Sequence, residues 1–316
     1  MKAGVLTKPS LTSLPASASI LGGLDEVVCV KEFGGSLFPK AESISVEGLE
    51  YKRAIEAAVQ ALLDHNIDVL VTIGGDGLAS YAASALIKLK DRKTLMLGIA
   101  AGTANVGPIA RSFGSQSIEL LKPVSLDAIE VCDGDKVVGY GFNDLIIGDT
   151  FLGTLDDKVV NFSARALAQQ DKLVVQEPSE DIFTDSFTLK LNGRKLDIDN
   201  PRRFKQACAS TLNGQSLSGR AIFGGLINAA GKAHPAAFAM ADRILVDSRQ
   251  ENWGYKGIVS SSTVCFESGD EIVLEGLADK AQLIIDGNPF ARTSQLVRLR
   301  CAAGAIRALE AENEEA

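Results

Sequence analysis

Asp68-Val69-Leu70-Val71-Thr72-Ile73-Gly74-Gly75-Asp76-Gly77 passes from a β-branched run straight into three glycines around one acid. The unbroken run predicts a strand covered on both faces, as in a parallel sheet. Leu78 to Lys90 follows with Leu78, Ala82, Leu86 and Leu89 on one helical stripe. Glycines permit unusual dihedrals and close backbone approach. Strand, Gly-rich loop and helix in that order aim backbone N–H groups and a helix N-terminus at the carboxyl end of the sheet, where phosphates bind. The loop is neither GxGxxG nor a Walker P-loop, because the Gly-Lys-Ser/Thr ending is absent. An aspartate inside a phosphate loop repels its ligand unless it holds Mg²⁺ or takes a proton from an attacking hydroxyl. The competing reading is a tight turn with Asp76 as helix cap.

The flanking sequence extends the same pattern. Lys2 to Thr7 and Glu26 to Val30 read as strands, with a loop marked by Gly34-Gly35 and Pro39. From Glu47 to Asp64, Leu49, Ile55, Val59, Leu62 and Leu63 recur at helical spacing. Thr94 to Ile99 is the next strand. These elements predict an α/β domain, a parallel sheet with helices on both faces. The last strand ends in Ala100-Ala101-Gly102-Thr103-Ala104-Asn105-Val106-Gly107, a second Gly-rich loop in the same place relative to its strand. Two such loops on one sheet edge make a binding crevice. Thr103 and Asn105 offer short hydrogen-bonding side chains there, the alternative being an ordinary turn with Asn105 as helix cap.

The pattern then changes. Leu126 to Val131, Val137 to Asp149, Leu173 to Gln176, Ser186 to Leu191 and Ile272 to Leu277 are short alternating or β-branched runs. Asp133-Gly134, Asn192-Gly193, Asn213-Gly214 and Asp286-Gly287 punctuate them as turns. An antiparallel β domain with few helices is expected, with the boundary near Ser115 to Ser125 and one or two helical turns at Ala164 to Gln170. The acidic tail from Glu310 is expected to fray. The division is therefore 1–120 α/β, 121–300 β-rich and sandwich-like, and 301–316 a C-terminal segment.

Composition excludes several classes. The net charge of −8 argues against a nucleic-acid footprint, which needs a basic face. No run reaches the roughly 18 apolar residues of a membrane span, and the N-terminal stretch is too short for a signal-peptide core. The five cysteines show no CxxC spacing, so reduced thiols in a cytoplasmic protein are expected. His65 and His234 stand apart with no HExxH, and GxSxG is absent, which argues against a zinc site and an α/β-hydrolase triad. No metal site made by the protein alone is expected.

Gly74-Gly75-Asp76-Gly77 followed by Gly102-Thr103-Ala104-Asn105 resembles the superfamily of NAD kinases and diacylglycerol and sphingosine kinases. The nearest resemblance is to the bacterial ATP-NAD kinase-like branch that includes acetoin catabolism protein X. Gly141-Phe142-Asn143-Asp144 resembles the Asn-Glu motif of NAD kinases, with Asp144 one methylene shorter. The resemblance implies an NAD kinase-like fold with a β-sandwich-like second domain, and a C-terminal segment that packs back on the first. It implies ATP and Mg²⁺, NAD⁺ as phosphoryl acceptor, and Asp76 as the catalytic acid–base group. Gly74, Gly75, Gly77, Gly102, Thr103 and Asn105 would bind nucleotide, with Asn143 and Asp144 on the adenosine part. A homo-oligomer, dimer or tetramer, is implied as well. Ile284-Ile285-Asp286-Gly287-Asn288 resembles the family's late Asp-Gly turn and reads as a hairpin closure. Departures stand beside these matches. Ala100 replaces the Pro that begins the lipid-kinase second motif. The Gly-x-Asn-x-Gly-x-Leu-Gly-Phe and Thr-Pro-x-Gly-Ser-Thr-Ala-Tyr segments of NAD kinases are not reproduced; Ser218 to Leu226 occupies the latter neighbourhood. Two further readings therefore stay open: a non-catalytic nucleotide-binding or regulatory protein of acetoin-type catabolism, and a lipid or small-alcohol kinase.

Overall fold

Five parallel strands are laid out in the order β3-β2-β1-β4-β5: β1 (Lys2–Thr7), β2 (Glu26–Val30), β3 (Glu42–Ile44), β4 (Val69–Gly74) and β5 (Leu95–Ala100). The structure, a computed structural model, describes residues 1–101, 107–113, 117–156, 158–211, 236–249 and 259–311. They divide into two units: Met1–Leu126 with the chain from Gly304 onward, and Asp127–Ala303.

In the first unit β4 is buried along its whole length, as its apolar run requires. Val69, Val71 and Ile73 join Val5, Leu97 and Ile99 in one core. Helices α1 (Tyr51–Asp64) and α2 (Asp76–Lys88) pack on each other. α1 starts four residues later than the periodicity predicts, because Gly48 has φ 80° and Glu50 is extended at the N-cap. A two-residue strand, β6 (Ala110–Arg111), adds to β5 in parallel. The chain visits β2 and β3 on one side of β1, then β4 and β5 on the other. That reversal creates a switch point between β1 and β4, the place where open α/β sheets bind ligands at the strands' carboxyl ends.

The second unit is antiparallel. Its strands are β7 (Leu121–Asp133) from Asp127 on, β8 (Lys136–Gly141), β9 (Leu145–Gly148), β10 (Thr150–Leu155), β11 (Lys158–Ser163), β12 (Phe183–Leu191), β13 (Arg194–Lys195), β14 (Gln206–Thr211), β15 (Ala236–Ala241), β16 (Ser261–Phe266), β17 (Glu271–Leu277), β18 (Gln282–Ile285), β19 (Asn288–Phe290) and the part of β20 (Leu296–Ala311) before Gly304. One sheet runs β16-β15-β14-β9-β18-β19. A second contains β13-β12-β17 and the first half of β20. Phe183, Phe187, Leu189, Phe238, Phe266, Ile272, Leu274 and Leu283 fill the space between them. The other face of the six-stranded sheet is covered too, by Phe151, Phe162 and the short helix α3 (Ala164–Gln170). Asn192-Gly193, φ 51° and 77°, and Asp286-Gly287, φ 46° and 76°, close hairpins with the positive dihedrals such turns need. Asn213-Gly214 lies outside the described residues.

Three expectations need correction. Val137 to Asp149 is not one strand, because pairing stops at Gly141 and resumes at Leu145. Leu173 to Gln176 makes one isolated bridge, Val175 to Phe162, and Leu173, Val174 and Val175 stay exposed. Of the tail expected to fray, Glu310 and Ala311 belong to β20, and residues 312–316 lie outside the described residues. Ala308 pairs with Met96 of β5, Leu309 is buried, and the Glu310 carboxylate lies 3.0 Å from the Arg111 guanidinium. An acid with a guanidinium partner and apolar neighbours is held in the sheet despite its charge.

Candidate functional site

The switch point carries the first cluster. Lys8, directly after β1, donates its N–H to the Ile73 carbonyl at 2.8 Å, and Ala101, directly after β5, donates to the Gly74 carbonyl at 2.8 Å. The ends of β1, β4 and β5 are thus laced together at one sheet edge. Gly74 sits where the chains crowd: a Cβ there would lie 3.1 Å from a Leu78 methyl and 3.5 Å from the Lys8 Cβ. Gly75 is the extended N-cap of α2, and Asp76 is the first helical residue.

The N-cap position of this helix is Gly75, which has no side chain to cap it. The Asp76 carboxylate crosses to the next loop and accepts the Gly107 N–H at 2.9 Å, 31 residues away. Asp76 as a residue is partly exposed, with its Oδ1 buried, at the N-terminal end of a 13-residue helix and beside the partly exposed Gly75 and Gly77. Lys8 is exposed at the same edge. Sequence reading passed over Lys8 and Gly107; a basic residue immediately after the first strand was the available signal. Gly102, Thr103, Ala104 and Asn105 lie outside the described residues, as does Ser218 to Leu226.

The second cluster belongs to the second unit. Asn143 is buried and Asp144 partly exposed, in the break between β8 and β9. The Asn143 Nδ2 donates to the Asp144 carboxylate at 3.0 Å. That contact fixes the amide orientation, since the flipped form would set oxygen against oxygen. The Asn143 Oδ1 is buried and accepts no hydrogen bond from the described residues. Asp144 is therefore the group presented outward, with Asn143 behind it.

Other chemistries find little support. The five cysteines form no disulfides, and burial pushes the thiols of Cys132, Cys265 and Cys301 up, Cys301 to about 11. Those three are protonated at neutral pH and are poor nucleophiles. Among the described residues no three His, Cys, Asp or Glu side chains cluster as metal ligands, and no helix is long and apolar enough to cross a membrane.

Comparison with known proteins agrees with this architecture. Residues 25–135 match the family model of the diacylglycerol kinase catalytic domain. An uncharacterized protein of Archaeoglobus fulgidus is 32% identical over 156 residues, 49% of this chain and 49% of its own, so the chain spans about half the length of the curated relative it matches. Yeast NADH kinase, solved with NADH, has a TM-score of 0.50 at 12% identity, covering 100% of this chain and 84% of its own. A Bacillus anthracis str. Sterne protein, named "a putative diacylglycerol kinase", has a TM-score of 0.51 at 11% identity, covering 97% of this chain and 96% of its own. The chain has the fold of the NAD kinase and diacylglycerol kinase-like superfamily, a parallel α/β sheet followed by an antiparallel β region.

Proposed function

We propose that the protein transfers a phosphoryl group from ATP to a small-molecule hydroxyl, with the 2′-hydroxyl of NAD⁺ as acceptor and NADP⁺ as product. The observation that carries this reading is the Asp76 carboxylate, which stands at the sheet's switch point and ties the start of α2 to the loop at Gly107. Phosphates bound there would meet the N–H groups of Gly75 and Gly77, with the positive end of α2 behind them. Lys8 supplies a cation at that edge. Asp76 would accept the proton of the attacking hydroxyl as the new P–O bond forms to the γ-phosphorus and the bond to the bridging oxygen breaks, releasing ADP.

Mg²⁺ fits this arrangement. It is usually held by one or two carboxylates together with substrate phosphates, not by an all-protein cage. Asp76 is a carboxylate of that kind at the phosphate-facing end of α2. The ion would supply neutralisation of phosphate charge, while the protein's share is positioning. Asn143 and Asp144 would hold the adenosine part, Asp144 accepting from a ribose hydroxyl. The match of residues 25–135 to the diacylglycerol kinase domain favours, as a second reading, a lipid or small-alcohol acceptor at the same loops.

Nucleotide binding can be tested before catalysis. ATP or NAD⁺ at about 100 times its dissociation constant should stabilise the protein by about 2.7 kcal/mol and raise its Tm. No shift with ATP, ADP, NAD⁺ or NADP⁺ at millimolar concentration would remove the proposal.

We also propose that the protein is a cytoplasmic homo-oligomer, dimer or tetramer, assembled through its β-rich domain. Leu152, Leu155 and Val159 on the β10–β11 hairpin are exposed, as are Leu173, Val174 and Val175 beside it. Apolar strand edges of this kind need covering. Light scattering should give a multiple of the 33.3 kDa chain mass, and a monomer at all concentrations would refute the assembly.

A further inference from the structure

The backbone at residues 142–144 is held by one side chain from a distant hairpin. The Asp286 carboxylate accepts the Phe142 N–H on Oδ2 at 2.8 Å and the Asn143 and Asp144 N–H groups on Oδ1 at 2.8 and 2.9 Å. In return the Asp286 N–H donates to the Asp144 carbonyl at 2.9 Å. Two hydroxyls at the end of β14 close the remaining positions. Ser210 donates to the Asn143 carbonyl at 2.6 Å and Thr211 to the Phe142 carbonyl at 3.2 Å. Every backbone polar group from Phe142 to Asp144 thus has a partner, although the segment has left the sheet ladder. Gly141 permits the bend, since a Cβ there would lie 3.0 Å from the Asp144 carbonyl.

The hairpin itself does not require this carboxylate. Its two positive dihedrals are met as well by Asn-Gly or Gly-Gly. Three N–H donors converging on a buried carboxylate are charge-assisted bonds, stronger than those to a neutral oxygen. Their consequence is local: with the backbone pinned, the Asn143 amide lies against Asp144 and orients it.

We propose that Asp286 is a positioning residue, which breaks the strand at residues 142–144 and holds Asn143 and Asp144 in the arrangement that receives the nucleotide. The inference rests on the assignment of Asn143 and Asp144 to nucleotide binding made above. Asp286 acts through them and need not touch the ligand.

The test compares Asp286→Gly, Asp286→Asn and Asp144→Ala with the wild-type chain, using ATP and NAD⁺ as probes in calorimetric titration. Asp286→Gly keeps the turn and removes the acceptor. It should weaken binding at least about 10-fold and speed amide hydrogen exchange at residues 142–144. Asp286→Asn keeps one oxygen for the Asn143 and Asp144 N–H groups but sets its own amide N–H against the Phe142 N–H; it should fall between, a partial rescue that loss of hairpin stability alone would not produce. If Asp286→Gly is too unstable to measure, Asp286→Asn carries the test with the same two readouts. Unchanged affinity in the Asp286 variants, with Asp144→Ala weakened, would overturn the positioning role and leave the nucleotide reading standing. A wild-type chain that binds neither probe would overturn both.

Discussion

Asp76→Asn is expected to lower phosphoryl transfer by at least about 10²-fold, the usual scale for a positioned general base, while the protein folds and binds nucleotide as before. The substitution is close to isosteric. The Asn oxygen can still accept the Gly107 N–H that Asp76 Oδ2 accepts at 2.9 Å, so the link between the loops survives. Asn also keeps whatever capping capacity the Asp76 side chain has at the start of α2. What disappears is the charge that takes a proton or holds Mg²⁺. Steady-state assays should therefore show a fall in kcat, with nucleotide affinity nearly constant. Activity within a few-fold of wild type would reduce Asp76 to a structural tie. A wild type with no transfer to any acceptor, whose Asp76→Asn variant binds nucleotide more tightly, would mark the chain as a non-catalytic binder, the carboxylate acting only as a repulsive charge.

The largest effect on stability is expected from Phe238→Ala, about 3–5 kcal/mol. Phe238 is fully buried at the centre of β15, opposite Ala209 on β14 and Val264 on β16. Around it β15 reads Ala-Ala-Phe-Ala-Met-Ala, and β14 contributes Ala207, Cys208 and Ala209. Small neighbours on a strand buried on both faces cannot swing in to fill the void, so the cavity persists at nearly full cost. Urea unfolding followed by tryptophan-independent far-UV circular dichroism should show the loss. A change below about 1 kcal/mol would mean that the sandwich core collapses around the site, against the close packing expected of an interior.

These same alanine strands show where sequence reading stops. The β4 run, its glycine loop and α2 were legible because three signals coincide there: a β-branched strand, a glycine cluster and a helical stripe. β15 carries no polar alternation and β14 little, since Ala207, Ala209 and Phe238 face one core while Cys208, Ala237 and Ala239 face the other. Alanine favours helix more than strand, so neither periodicity nor propensity marks them. β20 was hidden by its charges. Arg298 pairs with Asp135 in the β7–β8 turn, Arg300 with Glu271 on β17, and Glu310 with Arg111, contacts that only the tertiary fold creates.

The candidate site was legible as residue types but not as connections. Asp76 and Asn143-Asp144 stood out by motif. That Asp76 reaches Gly107, or that Asp286 organises a segment 142 residues earlier in the chain, depends on which strands become neighbours. β18 lies against β9, so the Asp286 turn is delivered to the strand break at residues 142–144. Asp-Gly suffices in sequence to predict the hairpin, and that local explanation concealed the second use of the carboxylate.

The central claim is phosphoryl transfer to a hydroxyl, and the most direct measurement is acceptor-dependent ADP release from ATP and Mg²⁺, with the product identified by mass. NAD⁺, NADH, diacylglycerol and small polyols serve as parallel acceptors. ADP release should depend on NAD⁺, with NADP⁺ formed in equal amount and the signal lost in Asp76→Asn. Nucleotide binding without ADP release above the acceptor-free rate, for every acceptor, would contradict it.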